Sequence, residues 1–268
     1  MDGPGARTGL TEAQRRDLDR TRFRVRWVDV TGSTNDDLRV AAAQEAADGT
    51  VLVADHQTSG HGRRGRAWEA PPGSSLLVSL LLRPDLEPDD LHLVTMAVGV
   101  AAAEAVDEEV AVPVGLKWPN DLVVDTPDGL RKLCGILAEA TWDGDRLAGV
   151  VVGLGLNVDW PTPVPAELEG IAVALNHLSN EPIDRADLLV TLLLRLEATL
   201  ADPEGSALLE RWHHLGTTPG QSVRVELASG GVVEGTATGL SPSGHLVVET
   251  ADGPVEVSAG DVHHVRPG

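Results

Sequence analysis

The chain has 268 residues, 41 of them acidic and 21 basic, which gives a formal net charge of −20. This surplus of acid argues against a nucleic-acid-binding surface as the main function, and no apolar run approaches the ~18–20 residues that span a bilayer. The single cysteine, Cys134, excludes an intramolecular disulfide and a multi-cysteine zinc site. Because the first residues also lack the apolar core of a secretion signal, we expect a cytoplasmic protein that binds neither DNA nor a membrane.

Periodicity and turn residues predict an α+β fold with two units. Residues 1–22 are polar and predict a mobile tail or a single short helix. In residues 23–215, consecutive strands joined by tight turns favour a mixed, largely antiparallel central sheet with flanking helices. From 216 to 268, short β-rich runs separated by glycine turns predict a small C-terminal β-barrel. The predicted helices are 36–47, 91–106, 184–200 and 206–215, and the main strands are 23–30, 51–54, 75–82, 133–140 and 147–158.

The loop from Gly60 to Arg66 is rich in both glycine and arginine. Its seven positions hold three glycines and three arginines. Glycine lets backbone N–H groups approach an anion closely, and the arginine fork suits phosphate. The loop matches neither the dinucleotide fingerprint nor a Walker loop. It predicts an anion site, although a solvated surface loop has the same composition.

The two lysines of the chain stand out among 19 arginines, and both fall in segments whose residues could take part in binding or catalysis. Lys117 precedes Trp118 and Pro119, and a proline there keeps the preceding residue extended. The segment therefore places Lys117 at a strand end, where an ammonium can neutralise a carboxylate or phosphate; an ordinary strand-ending turn is the alternative. Lys132 begins the next strand.

Glycines interrupt two strands that the turn pattern makes neighbours. Gly135 lies in one strand, and Gly153 and Gly155 lie in the next. Glycine inside a strand commonly marks the close approach of a ligand or a backbone. The pair predicts the floor of a narrow slot, and a β-bulge is the alternative.

Taken in order, these segments resemble the motif series of biotin–protein ligases. The resemblance covers residues 23–215, and 216–268 is similar to the SH3-like C-terminal domain of that family; it implies a class II synthetase-like catalytic fold. It also implies an enzyme that uses ATP and Mg²⁺ to convert biotin into biotinyl-5′-AMP. The biotinyl group then passes to a lysine of a biotin carboxyl carrier domain. We expect a monomer or weak homodimer.

The resemblance also implies roles for particular residues, with Lys117 and Arg63 as the catalytic pair. The metal ligands are left unassigned. The implied biotin-binding residues are Ser33, Thr34, Asn35, Gln57, Gly60, His61, Gly62, Arg63, Lys117, Gly135 and Gly153, and those on the adenylate side are Arg63, Arg66, Trp68, Asn120, Lys132 and Asn157.

Two positions depart from the family pattern. His61 stands where relatives more often have arginine, so the loop has one arginine fewer than is usual in the family. Cys134 replaces a small residue such as alanine, and we expect it only to pack. Residues 1–22 are too few for the DNA-binding domain of some relatives, so we expect no repressor activity.

Two other functions remain open on the sequence alone. A lipoate– or octanoate–protein ligase or transferase shares the catalytic fold. A non-catalytic biotin-binding sensor needs the pocket but not the cations Arg63, Lys117 and Lys132.

Overall fold

The computed structural model describes residues 9–87, 90–144, 146–201, 206–227 and 230–265. Within these ranges no helix combines the length and apolar character needed to cross a bilayer. The helices are α1 (Glu12–Leu18), α2 (Thr34–Ala43), α3 (His92–Val110), α4 (Arg185–Leu200) and α5 (Ser206–Leu215). The strands are β1 (Arg24–Thr31), β2 (Thr50–Gln57), β3 (Ser75–Leu82), β4 (Gly115–Lys117), β5 (Asp121–Thr126), β6 (Gly129–Asp143), β7 (Arg146–Asn157), β8 (Ser222–Leu227), β9 (Val232–Leu240), β10 (Leu246–Thr250), β11 (Gly253–Val257) and β12 (Gly260–His264).

The first seven strands form one sheet in the order β1-β2-β3-β7-β6-β5-β4. Its β1–β2 pair is parallel, and the other neighbouring pairs are antiparallel. The predicted α+β class, with a mixed and largely antiparallel sheet, is therefore confirmed. The parallel pair follows from α2, which connects β1 to β2 as a crossover.

Strand β3 lies inside the sheet between β2 and β7, and all eight of its residues are buried. Alternate side chains point to opposite faces. Leu81 packs with Leu52 and Val151 beneath α2, whereas Leu80 belongs to the larger core that also contains residues of α3 and α4. The face under α2 also carries Ser79, two residues from Leu81, where the polar site begins.

Two helices end at residues other than those that the sequence predicts. Helix α2 ends at Ala43, before the expected stop at 48–49, because Glu45 already has a left-handed backbone (φ 62°). Helix α3 continues to Val110 because its first left-handed residue is Ala111, which no glycine signal marked. In the N-terminal segment, α1 is the single short helix considered for 1–22; residues 1–8 lie outside the described ranges.

The last five strands form a separate antiparallel sheet in the order β11-β10-β9-β8-β12. Four of these strands correspond to the predicted runs. The fifth, β12, was not predicted, because its charged and histidine-rich sequence carries no clear alternation. It pairs with β8 and brings Asp261 towards the first sheet.

Helix α4 carries two ion pairs of very different burial, which allows a matched test. Arg185 is only 7% exposed and contacts Asp55 at 2.9 Å, whereas Arg195 and Glu108 are about half exposed. Breaking a largely buried pair leaves an uncompensated charge, so we expect Arg185→Met to lower the free energy of unfolding by about 3 kcal/mol. Arg195→Met should cost less than about 1 kcal/mol. Urea unfolding followed by circular dichroism measures both, and equal losses would contradict this account.

Candidate active site

The candidate site is a cavity of about 630 Å³ on the face of the first sheet that carries α2. Of the residues to which the sequence resemblance gives a binding or catalytic role, all except Gly60 line it: Ser33, Thr34, Asn35, Gln57, His61, Gly62, Arg63, Arg66, Trp68, Lys117, Asn120, Lys132, Gly135, Gly153 and Asn157. Gly60 is not among the residues that line the cavity. A glycine is required at this position because a Cβ would lie 2.6 Å from the carbonyl oxygen of Trp68. Segments far apart in sequence thus converge on one cavity.

One end of the cavity is a rigid hydrogen-bond network at the start of α2. Thr34 donates to Gln57 Oε1 through its backbone N–H (2.7 Å) and its hydroxyl (2.9 Å). Asn35 Oδ1 accepts from Ser79 Oγ at 2.6 Å, and Asn35 Nδ2 donates to Glu139 Oε2 at 2.8 Å. Both ends of the Asn35 amide are therefore held in place.

Sequence reasoning missed two members of this network. Ser79 interrupts the apolar run between Leu76 and Leu82, and that polar residue was a usable signal. Glu139 carried no such signal, because its role depends on the pairing of β6 with β7. This pairing places residue 137 opposite Gly153 and so brings the Glu139 end of β6 towards α2.

The glycines of β6 and β7 make room for two different side chains. Gly135 is the direct partner of Gly155, and the β6–β7 pairing there is regular. The β-bulge lies on the other edge of β6, where the pairing with β5 shifts at Leu133. Trp68 packs over both: a Cβ on either glycine would lie within 3 Å of its ring. Gly153 instead faces Asn35, where a Cβ would lie 2.3 Å from Oδ1. The expected slot floor is thus formed by Gly135 and Gly155, with Gly153 belonging to the Asn35 end.

The opposite end of the cavity is aromatic and polar. Lys132 Nζ contacts Asp121 Oδ1 at 2.7 Å and lies 5.3 Å from the Trp68 ring centroid. Asn157 is 1% exposed and donates to the carbonyl of Val173 at 3.0 Å. Its Oδ1 and the Trp68 Nε1 are buried without a hydrogen-bond partner among the described residues. Such atoms favour a ligand that supplies both a donor and an acceptor.

Two cations line the wall between these ends. Arg63 Nη1 donates to Asn120 Oδ1 at 3.2 Å, and Lys117 lies opposite Asp121 in the β4–β5 pair. Burial lowers the pKa of Lys117, although the Asp121 carboxylate acts against it. Burial also lowers the pKa of Arg63, which Asp261 partly offsets. Both side chains are therefore partly desolvated positive charges, as an anion-binding wall requires.

The glycine–arginine loop folds back on itself rather than extending into solvent. Gly62 N–H donates to the Arg66 carbonyl at 2.7 Å, and Trp68 N–H donates to that of Gly60 at 2.9 Å. A short 3-10 turn at Arg63–Gly65 forms the tip. This closed shape explains how Trp68 and Arg63 reach the same cavity.

The two departures from the family pattern have different surroundings. His61 Nε2 lies 3.6 Å from Glu139 Oε2, next to the Asn35 network. Cys134 is fully buried, and burial raises the pKa of its thiol, which stays protonated. The expectation that Cys134 only packs agrees with this environment.

The lowered pKa of Lys117 predicts that this residue reduces the free energy of unfolding at neutral pH. A lysine whose folded-state pKa lies below its unfolded value destabilises the fold at every pH where both states are charged, and the penalty disappears as pH rises through both values. We therefore expect Lys117→Met to raise the free energy of unfolding at pH 7. Urea unfolding at pH 7 and pH 10 measures this difference, which should shrink at the higher pH. A loss of stability at pH 7 would contradict the assignment of burial as the dominant cause.

Comparison with known proteins identifies the family. Residues 27–157 match the model of the biotin/lipoate A/B protein ligase family, and residues 218–265 match the biotin protein ligase C-terminal domain. The chain is 38% identical over 246 residues to the biotin–[acetyl-CoA-carboxylase] ligase of Mycobacterium tuberculosis, covering 88% of this chain and 87% of that one. It is 32% identical to the bifunctional ligase/repressor BirA of Bacillus subtilis, covering 87% of this chain and 72% of that one.

A solved structure gives the same result at the level of the fold. The biotin protein ligase of Aquifex aeolicus in complex with biotin and ATP superposes with a TM-score of 0.77 at 28% identity, covering 91% of this chain and 99% of that chain. The two family models match the chain in the same order as its two sheets. The chain belongs to the biotin protein ligase family.

Proposed function

We propose that this chain is an ATP-dependent ligase that activates biotin as biotinyl-5′-AMP and transfers it to a lysine of a biotin carboxyl carrier domain. One observation carries the proposal. Arg63 and Lys117 line the cavity between a hydrogen-bonding end at Asn35 and an aromatic end at Trp68 and Asn157. A ligand that joins a polar ring system to a nucleotide through a carboxyl-phosphate centre fits this order of groups.

The first step must bring two anions together. An oxygen of the biotin carboxylate attacks the α-phosphorus of ATP, and the bond to the β,γ-phosphates breaks so that pyrophosphate leaves. At about 4 Å two unit charges repel by about 4 kcal/mol at an effective dielectric of 20. Arg63 and Lys117 offset this repulsion and stabilise the charge that develops on the α-phosphate.

Magnesium bound to the triphosphate would share the neutralisation of its charge. Among the described residues no cluster of three or more His, Cys, Asp or Glu side chains could hold a metal by itself. Asp121 is an oxygen donor on the cavity wall. A single carboxylate on the wall suits an ion whose other ligands are phosphate and water oxygens, as is common for Mg²⁺.

In the second step, the ε-amine of the acceptor lysine attacks the acyl carbon of the mixed anhydride. An amide bond forms, the bond to the phosphate oxygen breaks, and AMP leaves with the negative charge that Lys117 and Arg63 face. The acceptor is a carrier domain of a biotin-dependent carboxylase, in keeping with the relative from M. tuberculosis.

Residue roles within the cavity follow from its two ends. Thr34, Asn35 and Gln57 hold the biotin head group, and Ser79 and Glu139 hold Asn35 in position. Lys132 and Trp68 flank the nucleotide. The full proposed set is Ser33, Thr34, Asn35, Gln57, Gly60, His61, Gly62, Arg63, Lys117, Gly135 and Gly153 for biotin, and Arg63, Arg66, Trp68, Asn120, Lys132 and Asn157 for the adenylate.

The proposal extends to organisation and location. Residues 23–215 form the catalytic domain and 216–268 the SH3-like domain, in keeping with the two separate sheets. The net charge of −20 supports an enzyme that does not bind DNA, and its use of ATP supports a cytoplasmic location. We propose a monomer or weak homodimer, which sedimentation equilibrium measures.

Biotin-dependent exchange of pyrophosphate into ATP tests the first step directly. We expect exchange with biotin but not with lipoate or octanoate, and we expect Lys117→Met to lower it at least ~100-fold, as removing a cation that stabilises transition-state charge commonly does. Arg146→Met, an exposed cation outside the cavity, serves as the control. Exchange driven by lipoate would favour the lipoate ligase, and biotin binding without any exchange would favour the sensor.

The Asn35 end of the cavity has a separate test. An alanine at position 153 would place its Cβ 2.3 Å from Asn35 Oδ1, and the two hydrogen bonds of that amide prevent it from yielding. We expect Gly153→Ala to weaken biotin binding at least ~10-fold by calorimetry, an effect of the size of one hydrogen bond. Gly32→Ala is the control, because a Cβ there has nothing within 4 Å. Equal affinities of the two variants would remove Asn35 from the biotin site.

A further inference from the structure

One carboxylate of the C-terminal sheet contacts all three arginines of the glycine–arginine loop. Asp261, on β12, lies 3.7 Å from Arg63 Nη1, 3.0 Å from Arg64 Nη1 and 3.2 Å from Arg66 Nη2. Its side chain is only 15% exposed. Three like charges within four residues repel one another, and a single shielded carboxylate between them offsets that repulsion.

Arg64 differs from its two neighbours in the direction of its side chain. Arg63 and Arg66 line the cavity, whereas Arg64 does not. Its Nη2 donates to the carbonyls of Glu226 (3.2 Å) and Leu227 (3.5 Å) at the end of β8. The guanidinium of Arg64 is therefore directed at the C-terminal domain, where it meets the carboxylates of Asp261 (3.0 Å) and Glu226 (3.9 Å) and two carbonyl oxygens.

The backbone conformation of Arg64 is a second, independent observation that supports the same contact. Its φ of 57° lies in the left-handed region, which a residue with a side chain adopts only when its surroundings hold it there. The contacts of Arg64 with β8 and Asp261 supply that hold. The left-handed turn at Arg64 also sets the position of Arg63. Arg63 Nη1 donates both to Asn120 Oδ1 and to the carbonyl of Gly260 on β12.

We propose that Asp261 and Arg64 form an interdomain clamp that positions Arg63 and Arg66 for the phosphates of the nucleotide. Both are positioning residues that act through the loop, and neither contacts the reacting atoms. The C-terminal domain thereby takes part in nucleotide binding from outside the catalytic domain. This inference rests on the proposed function for its kinetic readout, but its structural readout is independent of it.

The kinetic test compares Asp261→Asn and Arg64→Gly with the native enzyme in biotin-dependent pyrophosphate exchange. Glycine at 64 keeps the left-handed turn at no steric cost, so this variant removes the clamp without straining the fold. We expect each variant to raise KM for ATP about tenfold with a smaller change in kcat, since an interaction that stabilises the ground and transition states equally acts on KM. The dissociation constant for biotin alone should change less than about twofold, because the Asn35 network stays intact.

Three controls separate a clamp from a general structural effect. Asp261→Glu keeps the charge and should recover most of the ATP affinity. Asp252→Asn removes an equal charge from the exposed turn between β10 and β11 and should behave as the native enzyme. The double variant of Arg64→Gly and Asp261→Asn should show an effect smaller than the product of the two single effects, because both substitutions remove the Arg64–Asp261 contact.

Limited trypsin digestion provides the readout that needs no activity. We expect cleavage after Arg63 and Arg66 to become several-fold faster in Asp261→Asn than in Asp252→Asn, with unchanged thermal unfolding. An unchanged KM for ATP in Asp261→Asn, or effects that multiply in the double variant, would overturn the clamp. If the native protein gives no biotin-dependent exchange, the proposed function fails, and the digestion rates alone decide whether the clamp exists.

Discussion

The site is organised around the cost of bringing one anion to another inside a partly desolvated cavity. A carboxylate and a triphosphate repel, and only cations fixed in advance can lower that barrier without reorganising. In the mechanism that we propose, Arg63 and Lys117 meet this need at the expense of their own hydration, as the lowered pKa of each side chain indicates. The carboxylates of Asp121 and Asp261 offset part of the cost of burying these two positive charges. Acidic residues around the cavity are therefore part of the cation site.

The two ends of the cavity use different physical means to define a ligand. At α2, every polar atom of the Asn35 amide is engaged, which gives a fixed pattern of donors and acceptors. At β6 and β7, paired glycines let Trp68 lie against the backbone, and the buried Asn157 Oδ1 lacks a protein partner among the described residues. The first end suits a small rigid ring, and the second suits a flat base with nearby hydroxyl groups.

Much of this arrangement could be predicted from local patterns. The apolar run 75–82 predicted the buried strand β3 with correct bounds, and the turn signals predicted the hairpins of the antiparallel sheet. Glycine and arginine chemistry predicted an anion loop, and the motif order predicted the family. The helix termini at Ala43 and Val110 were missed because they depend on left-handed residues that no glycine marks.

The sequence by itself determined which residue types are available for the chemistry: two lysines, an arginine loop and glycines within strands, all readable because local chemistry depends only on near neighbours. Only the tertiary structure decided which of them meet. Register paired Gly135 with Gly155 and turned Gly153 towards Asn35. The packing of the two domains also placed Asp261, far along the chain, against Arg64, because an ion pair between domains depends on packing that no local pattern encodes.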